Sequence, residues 1–234
     1  MHRYVLGVYD FLERLLKRFP RILIEGCSGG GGRFDAGMLY YTPQIWCSDN
    51  TDAIERTVIQ HGTSFGYPIS AVGSHVSAVP NHQTGRTVNM QTRGAVAMAG
   101  NFGYELDLNL LSEAEKQEVK QQIADYKKYW NLIHNGRYYR LHTPGEDTET
   151  AAWCFVSRDQ TEALLNVVSL TTHCNCPVTY VKCKGLEVRR RYRLIGSEQV
   201  YSGSALAEIG IPVPQRAGEY NSWQMYFRAT EEDI

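Results

Sequence analysis

The sequence ILIEGCSGGGGRFD, residues 22–35, joins a short apolar segment directly to a glycine-rich loop. The sequence QIWCSDNTDA, residues 44–53, repeats this order with a second apolar segment and a second polar loop. Asp52 can then cap a helix, because Glu55 follows it at the spacing of a capping box. Short strands that alternate with helices are typical of a parallel sheet. We therefore predict two parallel strands here, each of which leads into a loop at its carboxyl end.

Helices and strands alternate on both sides of these two stretches. Apolar residues recur at helical spacing over residues 2–18, and a second helix is predicted over 86–99. A strand is predicted over 103–108, and Ser112 with Glu115 forms a capping box that begins a long helix. This alternation indicates an α/β unit whose parallel sheet is either open or closed into a barrel.

The composition changes after residue 144. Residues 145–234 contain short segments rich in Val, Tyr, Leu, Thr and Trp, separated by Gly, Pro and Asn. This pattern is typical of an antiparallel all-β domain. The predicted division is therefore an α/β unit over 1–144 and an all-β domain over 145–234. A complete eightfold α/β barrel takes about 250 residues, whereas the first unit offers about four strands.

Charge and cysteine content exclude several classes of protein. The 24 basic and 25 acidic side chains give a net charge of −1, whereas proteins that bind nucleic acid by counterion release carry a basic excess. No apolar run approaches the ~20 residues of a membrane span. Six cysteines are too few for a disulfide scaffold, and Cys174 and Cys176 lack the second pair that a zinc site needs. We expect a reduced, cytoplasmic protein that binds no metal, nucleic acid or membrane.

The glycine-rich loop permits more than one interpretation. Residues 26–30 match the G-x-S-x-G nucleophile elbow, which makes Ser28 the candidate nucleophile of a serine hydrolase. That elbow must lead straight into a helix, but the glycines that follow each cost ~1 kcal/mol relative to Ala in a helix. A loop whose bare backbone lets a polar ligand approach is a second interpretation. A tight turn without a ligand is a third.

The loop at residues 46–52 contains two carboxylates with different predicted roles. The carboxyl ends of parallel strands form the active face of α/β folds. Asp52 is predicted to cap a helix, whereas Asp49 has no evident capping role. Trp46 lies close to Asp49 in sequence, and an apolar ring beside a carboxyl group raises the pKa of that acid, which suits a general acid. His75 and His82 lie seven residues apart, which is not a zinc spacing, so we interpret them as structural.

Five motifs in the same order resemble the bacterial α-galactosidases of glycoside hydrolase family 36. The resemblance covers nearly the whole chain and is highly specific, because several long motifs follow one another in the order of the family. The motifs are CSGGGGRFD at 27–35, QIWCSDNTDA at 44–53, SHVSAVPNHQ at 74–83, FGYELD at 102–107 and WQMYFR at 223–228.

The resemblance implies a fold, an activity and a set of site residues. The fold is a partial (β/α)8 TIM barrel with about its last four β/α units, followed by an antiparallel β-sandwich domain. The activity is retaining hydrolysis of terminal α-galactosides such as melibiose and raffinose, which needs no cofactor. By the match, Asp49 occupies the acid/base position. Cys27, Gly30 and Trp46 occupy positions that line the galactose pocket.

One family motif is missing from this sequence. The family's nucleophilic aspartate lies in a Lys-Trp-Asp motif upstream of the quoted segments, and no Lys-Trp-Asp occurs in the chain. The resemblance therefore implies a part of an α-galactosidase that is inactive by itself and belongs to a homo-oligomeric full-length protein. Two alternatives stay open: a serine hydrolase with Ser28 as nucleophile, and a non-catalytic sugar-binding or assembly module.

Overall fold

A computed structural model describes residues 2–144 and 149–230. The first part of the chain alternates helices with short strands. These elements are α1 (His2–Arg18), β1 (Glu25–Gly26), α2 (Ala36–Tyr41), β2 (Gln44–Ile45), α3 (Ala53–Thr63), β3 (Gly73–Ser77), α4 (Met90–Ala97), β4 (Asn101–Glu105) and α5 (Glu113–Asn135). None of the helices in the described part of the chain is long and apolar enough to cross a membrane.

The strands of this part lie side by side in chain order. β1 pairs with β2 and β3 pairs with β4, both in parallel. A parallel bridge between Ile45 and Val72 joins the two pairs. The described residues therefore contain four successive parallel strands, which confirms the predicted parallel α/β arrangement.

The helix predictions hold best where a capping residue is present. Asp52 caps α3 and Ser112 caps α5 with a complete capping box. The helix predicted over 86–99 is shorter, because the Asn89 side chain accepts a hydrogen bond from Thr92 N and begins α4 at Met90. The apolar segment at 22–24 lies before β1, since the strand pairs only from Glu25, opposite Gln44.

The rest of the chain forms an antiparallel arrangement of two sheets. Among the described residues, one sheet has six strands in the order β10-β9-β12-β7-β6-β5, and β8 pairs with β11 in a second sheet. These elements are β5 (Arg137–His142), β6 (Thr150–Val156), β7 (Glu162–Ser169), β8 (Tyr180–Val181), β9 (Arg191–Leu194), β10 (Val200–Ser202), α6 (Gly203–Glu208), β11 (Ile211–Pro212) and β12 (Ser222–Ala229). β5 precedes the domain boundary at 144/145, and that boundary stays a prediction.

The six-stranded sheet is buried on both faces. Cys154 on β6 faces the two-stranded sheet, where it shares an apolar core with Val181 and Ile211. Phe155, the next residue, faces the opposite way and packs with Val96 of α4 and other residues of the helices. Successive side chains of a strand point to opposite faces, so one strand contributes to both cores. One face of the sheet thereby packs against the helices of the α/β unit.

Candidate functional site

The loops after β1 and β2 leave the same edge of the parallel sheet. Trp46 N donates a hydrogen bond to Gly26 O at 2.8 Å, which holds the two strand ends together. Cys27 and Trp46 therefore begin two neighbouring loops at the carboxyl ends of adjacent strands, as predicted. In parallel α/β folds this edge is where ligands bind.

The glycine-rich loop is not a nucleophile elbow. Ser28 has φ +78°, and Gly29, Gly30 and Gly31 have φ values of +66°, +70° and +92°, so four successive residues adopt the left-handed backbone that favours glycine. The next helix, α2, begins only at Ala36. The strand-to-helix turn that a serine hydrolase requires is absent from this described segment.

The two loops are in direct main-chain contact. A Cβ added to Gly30 would lie 2.8 Å from Asp49 N, and one added to Gly31 would lie 3.0 Å from Cys47 O. Only glycine permits this approach. The structure thus brings Cys27, Gly30 and Asp49 to one edge of the sheet.

Aromatic contacts and hydrogen bonds fix the far end of the glycine loop. The ring of Phe34 stacks on Tyr67 with centroids 4.0 Å apart. Tyr9 Oη donates to Asp35 Oδ1 at 2.7 Å, and this hydrogen bond holds the pKa of Asp35 below its ordinary value. Asp35 also caps α2 by accepting from Met38 N. The loop is therefore anchored at both ends, although its middle consists of glycines.

Asp49 is exposed on a bend whose shape is set by its neighbours. Ser48 Oγ accepts a hydrogen bond from Asn50 N at 3.2 Å, and Asn50 Oδ1 accepts one from Asp52 N at 3.0 Å. The carboxylate of Asp49 itself forms no hydrogen bond or ion pair with any residue of 2–144 or 149–230. The carboxylate is therefore accessible at this edge of the sheet.

Asp52 has the opposite environment. Its side chain is fully buried, accepts from Ile54 N at 2.8 Å and pairs with Arg86 Nη1 at 2.6 Å. Burial raises the pKa of Asp52, but hydrogen bonds from Thr84, Arg86 and the Glu55 and Ile54 amides outweigh burial and leave the pKa below its ordinary value. Asp52 is therefore a structural anion, as its capping position predicts.

Trp46 is held by two residues that sequence reasoning did not place in the site. Its ring stacks on His75 with centroids 4.8 Å apart, and the guanidinium of Arg56 lies 4.8 Å from the same ring. A Cβ at position 103 would lie 2.9 Å from His75 Cδ2, so Gly103 on β4 leaves room for the imidazole. The predicted order of the parallel strands could have indicated this contact. Trp46 directly follows β2, His75 lies on β3 and Gly103 lies on β4, so the three residues are neighbours across the sheet.

No metal site accompanies this arrangement in the described ranges, 2–144 and 149–230. No group of three or more His, Cys, Asp or Glu side chains there could hold a metal ion. All six cysteines lie in those ranges and are free thiols. His82, the second histidine that we interpreted as structural, is exposed.

Comparison with known proteins places the same two parts in one family of enzymes. Residues 1–136 match the family model described as Melibiase, and residues 150–227 match that of the glycosyl hydrolase family 36 C-terminal domain. Over 98% of its length the chain is 58% identical to the bifunctional alpha-galactosidase/sucrose kinase AgaSK of Mediterraneibacter gnavus, of which it covers 24%. It is 51% identical over 99% of its length to alpha-galactosidase AgaA of Geobacillus stearothermophilus, of which it covers 31%.

Solved structures agree with these matches. The galactosidase domain of AgaSK superimposes on 98% of this chain with a TM-score of 0.96, and the chain covers 32% of it. A Geobacillus stearothermophilus AgaA variant in complex with raffinose superimposes with a TM-score of 0.94 at 50% identity, again over 98% of this chain and 32% of that one. The predicted fold, a partial barrel followed by an antiparallel β domain, is confirmed. The chain spans about a quarter to a third of the length of these relatives.

Proposed function

Because the chain belongs to the melibiase family, glycoside hydrolase family 36, we propose that it is the acid/base part of a retaining α-galactosidase. The observation that carries the proposal is the placement of Asp49. Its carboxylate is exposed and unpartnered among the described residues, and it lies beside the glycine loop at the active edge of a parallel sheet. A group that must give and take a proton needs this freedom.

In the proposed reaction Asp49 acts twice. As an acid it protonates the glycosidic oxygen while a second carboxylate attacks the anomeric carbon. As a base it then takes a proton from the water that hydrolyses the galactosyl-enzyme. The two carboxyl groups of retaining glycosidases lie ~5–5.5 Å apart. Asp49 therefore needs a nucleophile on the opposite face of the sugar.

Three residues near Asp49 are proposed to bind the galactose ring. Gly30 presents bare backbone, Cys27 presents a half-buried thiol, and Trp46 presents an apolar ring. Apolar rings and a few polar groups are the usual lining of sugar and other small-molecule pockets. The substrate class follows from relatives, since AgaA variants of Geobacillus stearothermophilus were solved in complex with raffinose and with stachyose. We infer terminal α-galactosides of the raffinose and melibiose type.

The nucleophile is proposed to come from a polypeptide segment upstream of this one. The sequence contains no Lys-Trp-Asp motif, and large apolar side chains of the α/β unit are exposed. The exposed side chains include Leu6, Phe11, Phe19, Leu23 and Tyr40. Exposed apolar patches mark interaction sites, and we propose that the first half of the barrel covers these side chains. We also propose a homo-oligomeric full-length protein and a cytoplasmic location, on the basis of the resemblance and of the cysteine content.

A graft tests the proposal. This chain would replace the matching segment of Geobacillus stearothermophilus AgaA, and turnover of raffinose and of 4-nitrophenyl α-galactoside would be measured. We expect Asp49→Asn to lower kcat/KM for raffinose by about 10²–10⁴, the usual scale of general acid–base catalysis. The loss for the aryl galactoside should be smaller, because its leaving group needs little protonation.

The matched control is Asp10→Asn, which removes an exposed carboxylate of α1 whose one ion pair with a described residue is to Arg14. We expect this variant to keep the activity of the graft. Raffinose hydrolysis that survives Asp49→Asn would refute the acid/base role. Galactose binding without any turnover by the graft would favour the non-catalytic sugar-binding module instead.

A further inference from the structure

Arg56 on α3 is a buried cation that forms no ion pair in the described part of the chain, although the charge of Glu105 acts on it from beyond ion-pair distance. The residue is 3% exposed, and no carboxylate oxygen lies within 4.0 Å of it among residues 2–144 and 149–230. Burial lowers the pKa of its guanidinium, but arginine stays charged in proteins. Burying a charge is costly unless hydrogen bonds compensate it. An apolar residue would fill this space at a lower free-energy cost. The role of Arg56 is therefore to be found in the hydrogen bonds that only a polar side chain can make.

These hydrogen bonds connect the loop after β2 to β3, beside Asp49. Nη1 donates to Ser48 O at 3.2 Å and lies 3.8 Å from Cys47 Sγ. Nη2 donates to Gly73 O at 2.5 Å. Ser48 and Gly73 lie just beyond the bridge that joins β2 to β3. The guanidinium thus continues the connection between the strands where their main-chain pairing stops.

The same guanidinium also contacts the ring of Trp46, with Cζ 4.8 Å from the centroid. A single planar group therefore contacts three successive residues, Trp46, Cys47 and Ser48, which immediately precede Asp49. Its fork geometry lets it reach two carbonyl oxygens and one aromatic face together, which a lysine ammonium on a flexible stem cannot do. This one side chain therefore contributes to the main-chain path that leads into Asp49.

We propose that Arg56 is a positioning residue that holds the loop after β2 so that Asp49 reaches the glycosidic oxygen. The inference rests on the proposed function, because it assigns Arg56 an effect that acts through Asp49. A displacement of ~1 Å in a catalytic group costs about 100-fold in rate. Loss of the hydrogen bonds to the two carbonyl groups therefore lowers the rate at which Asp49 protonates the glycosidic oxygen. It does so without removing a group that touches the sugar.

The test is a double-mutant experiment in the AgaA graft. Arg56→Lys keeps the charge but removes the fork, and we expect kcat/KM for raffinose to fall by about 10–100-fold. The fall for 4-nitrophenyl α-galactoside should be several-fold smaller. In an Asp49→Asn background the same substitution should change kcat/KM for either substrate by less than about threefold, since residues that act as a unit are not additive.

Arg93→Lys is the matched control. Arg93 is 5% exposed and donates to Val88 O at 3.0 Å and Ser77 O at 2.7 Å, so it is also a buried arginine bound to main-chain carbonyls. Arg93→Lys should change kcat/KM for raffinose and for the aryl galactoside by the same factor. That factor should also be the same with and without Asp49→Asn. If Arg56→Lys does not fold, Arg56→Gln keeps an amide donor and is measured in its place.

Two results separate the inference from the function on which it rests. In the first result, Asp49→Asn lowers raffinose turnover, but Arg56→Lys lowers kcat/KM by the same factor with and without Asp49→Asn. Arg56 then has only a structural role and the inference is wrong. If Asp49→Asn leaves raffinose turnover unchanged, the proposed function is wrong, and the inference is overturned with it.

Discussion

Asp49 and Asp52 are three residues apart in the same loop, and their environments differ in every respect. Asp52 accepts hydrogen bonds from four donors in a buried position, whereas Asp49 is exposed and has no partner among the described residues. Capping-box spacing predicted the structural role of Asp52 from sequence alone. The partners of Asp52 could not be predicted, because Thr84 and Arg86 come from a loop about 30 residues later.

Gly30 provides a test of the contact between the two loops. In the graft, we expect Gly30→Ala to lower kcat/KM for raffinose at least tenfold, because its Cβ would lie 2.8 Å from Asp49 N. Gly29→Ala is the control: Gly29 also has a positive φ, +66°, but nothing lies within 4 Å of its added Cβ. Both variants carry similar backbone strain, ~1 kcal/mol. Equal kinetic losses in the two variants would show that strain, and not contact with Asp49, is responsible.

At the scale of elements, the first residue of a helix was predicted better than the side of the helix that is buried. The starts of α3 and α5 follow from local capping chemistry, and the structure confirms both. Arg56, Thr57 and Gln60 are buried on α3, although polar residues at helical spacing ordinarily indicate a solvent face. Sequence periodicity missed Arg56 for this reason. The acceptors that make its burial possible belong to the loop after β2 and to β3.

The cap of α3 gives a prediction about stability. Asp52→Asn keeps a capping oxygen but removes the charge that pairs with Arg86, so we expect a loss of about 1–3 kcal/mol at pH 7. Because folding lowers the pKa of Asp52, this contribution is present above the ordinary aspartate pKa of about 3.9 and is lost as the pH falls through the lower pKa of the folded state.

Thermal unfolding of the graft from pH 7 to pH 3 measures this effect. The difference in Tm between the parent and Asp52→Asn should shrink toward pH 3. Asp107→Asn serves as control, because Asp107 caps an exposed helical turn through Asn109 N. A Tm difference for Asp52→Asn that is constant over this pH range would contradict the assigned role of Asp52.

At the scale of the whole molecule, the two halves share the six-stranded sheet, which is buried on both faces. Strand alternation predicted the all-β class of the second half. It did not predict that α6 interrupts the strands at Gly203–Glu208, because the strand-like composition of the second half outweighed the single local cap that Ser202 provides. The shared edge of the two loops, by contrast, was predictable because the loops after β1 and β2 both follow short apolar segments in the sequence.

The isolated chain is expected not to hydrolyse α-galactosides. The other carboxylates within the five motifs are engaged: Asp35, Asp52 and Asp107 cap helices, and Glu105 lies 3.6 Å from His75 Nδ1. An assay of the purified 234-residue chain with 4-nitrophenyl α-galactoside should match the same chain carrying Asp49→Asn. Turnover by the chain that disappears in the variant would mean that the nucleophile lies within this sequence.

The most direct test of the account locates the nucleophile. The AgaA graft would be treated with a fluorinated α-galactosyl fluoride, a mechanism-based inhibitor whose sugar accumulates as an ester on the nucleophilic carboxylate, and the labelled peptide would be identified by mass spectrometry. We expect the label to lie on an aspartate of the AgaA portion upstream of the graft and the isolated chain to stay unlabelled. A label on any carboxylate within residues 1–234 would contradict the claim that this chain supplies the acid/base and not the nucleophile.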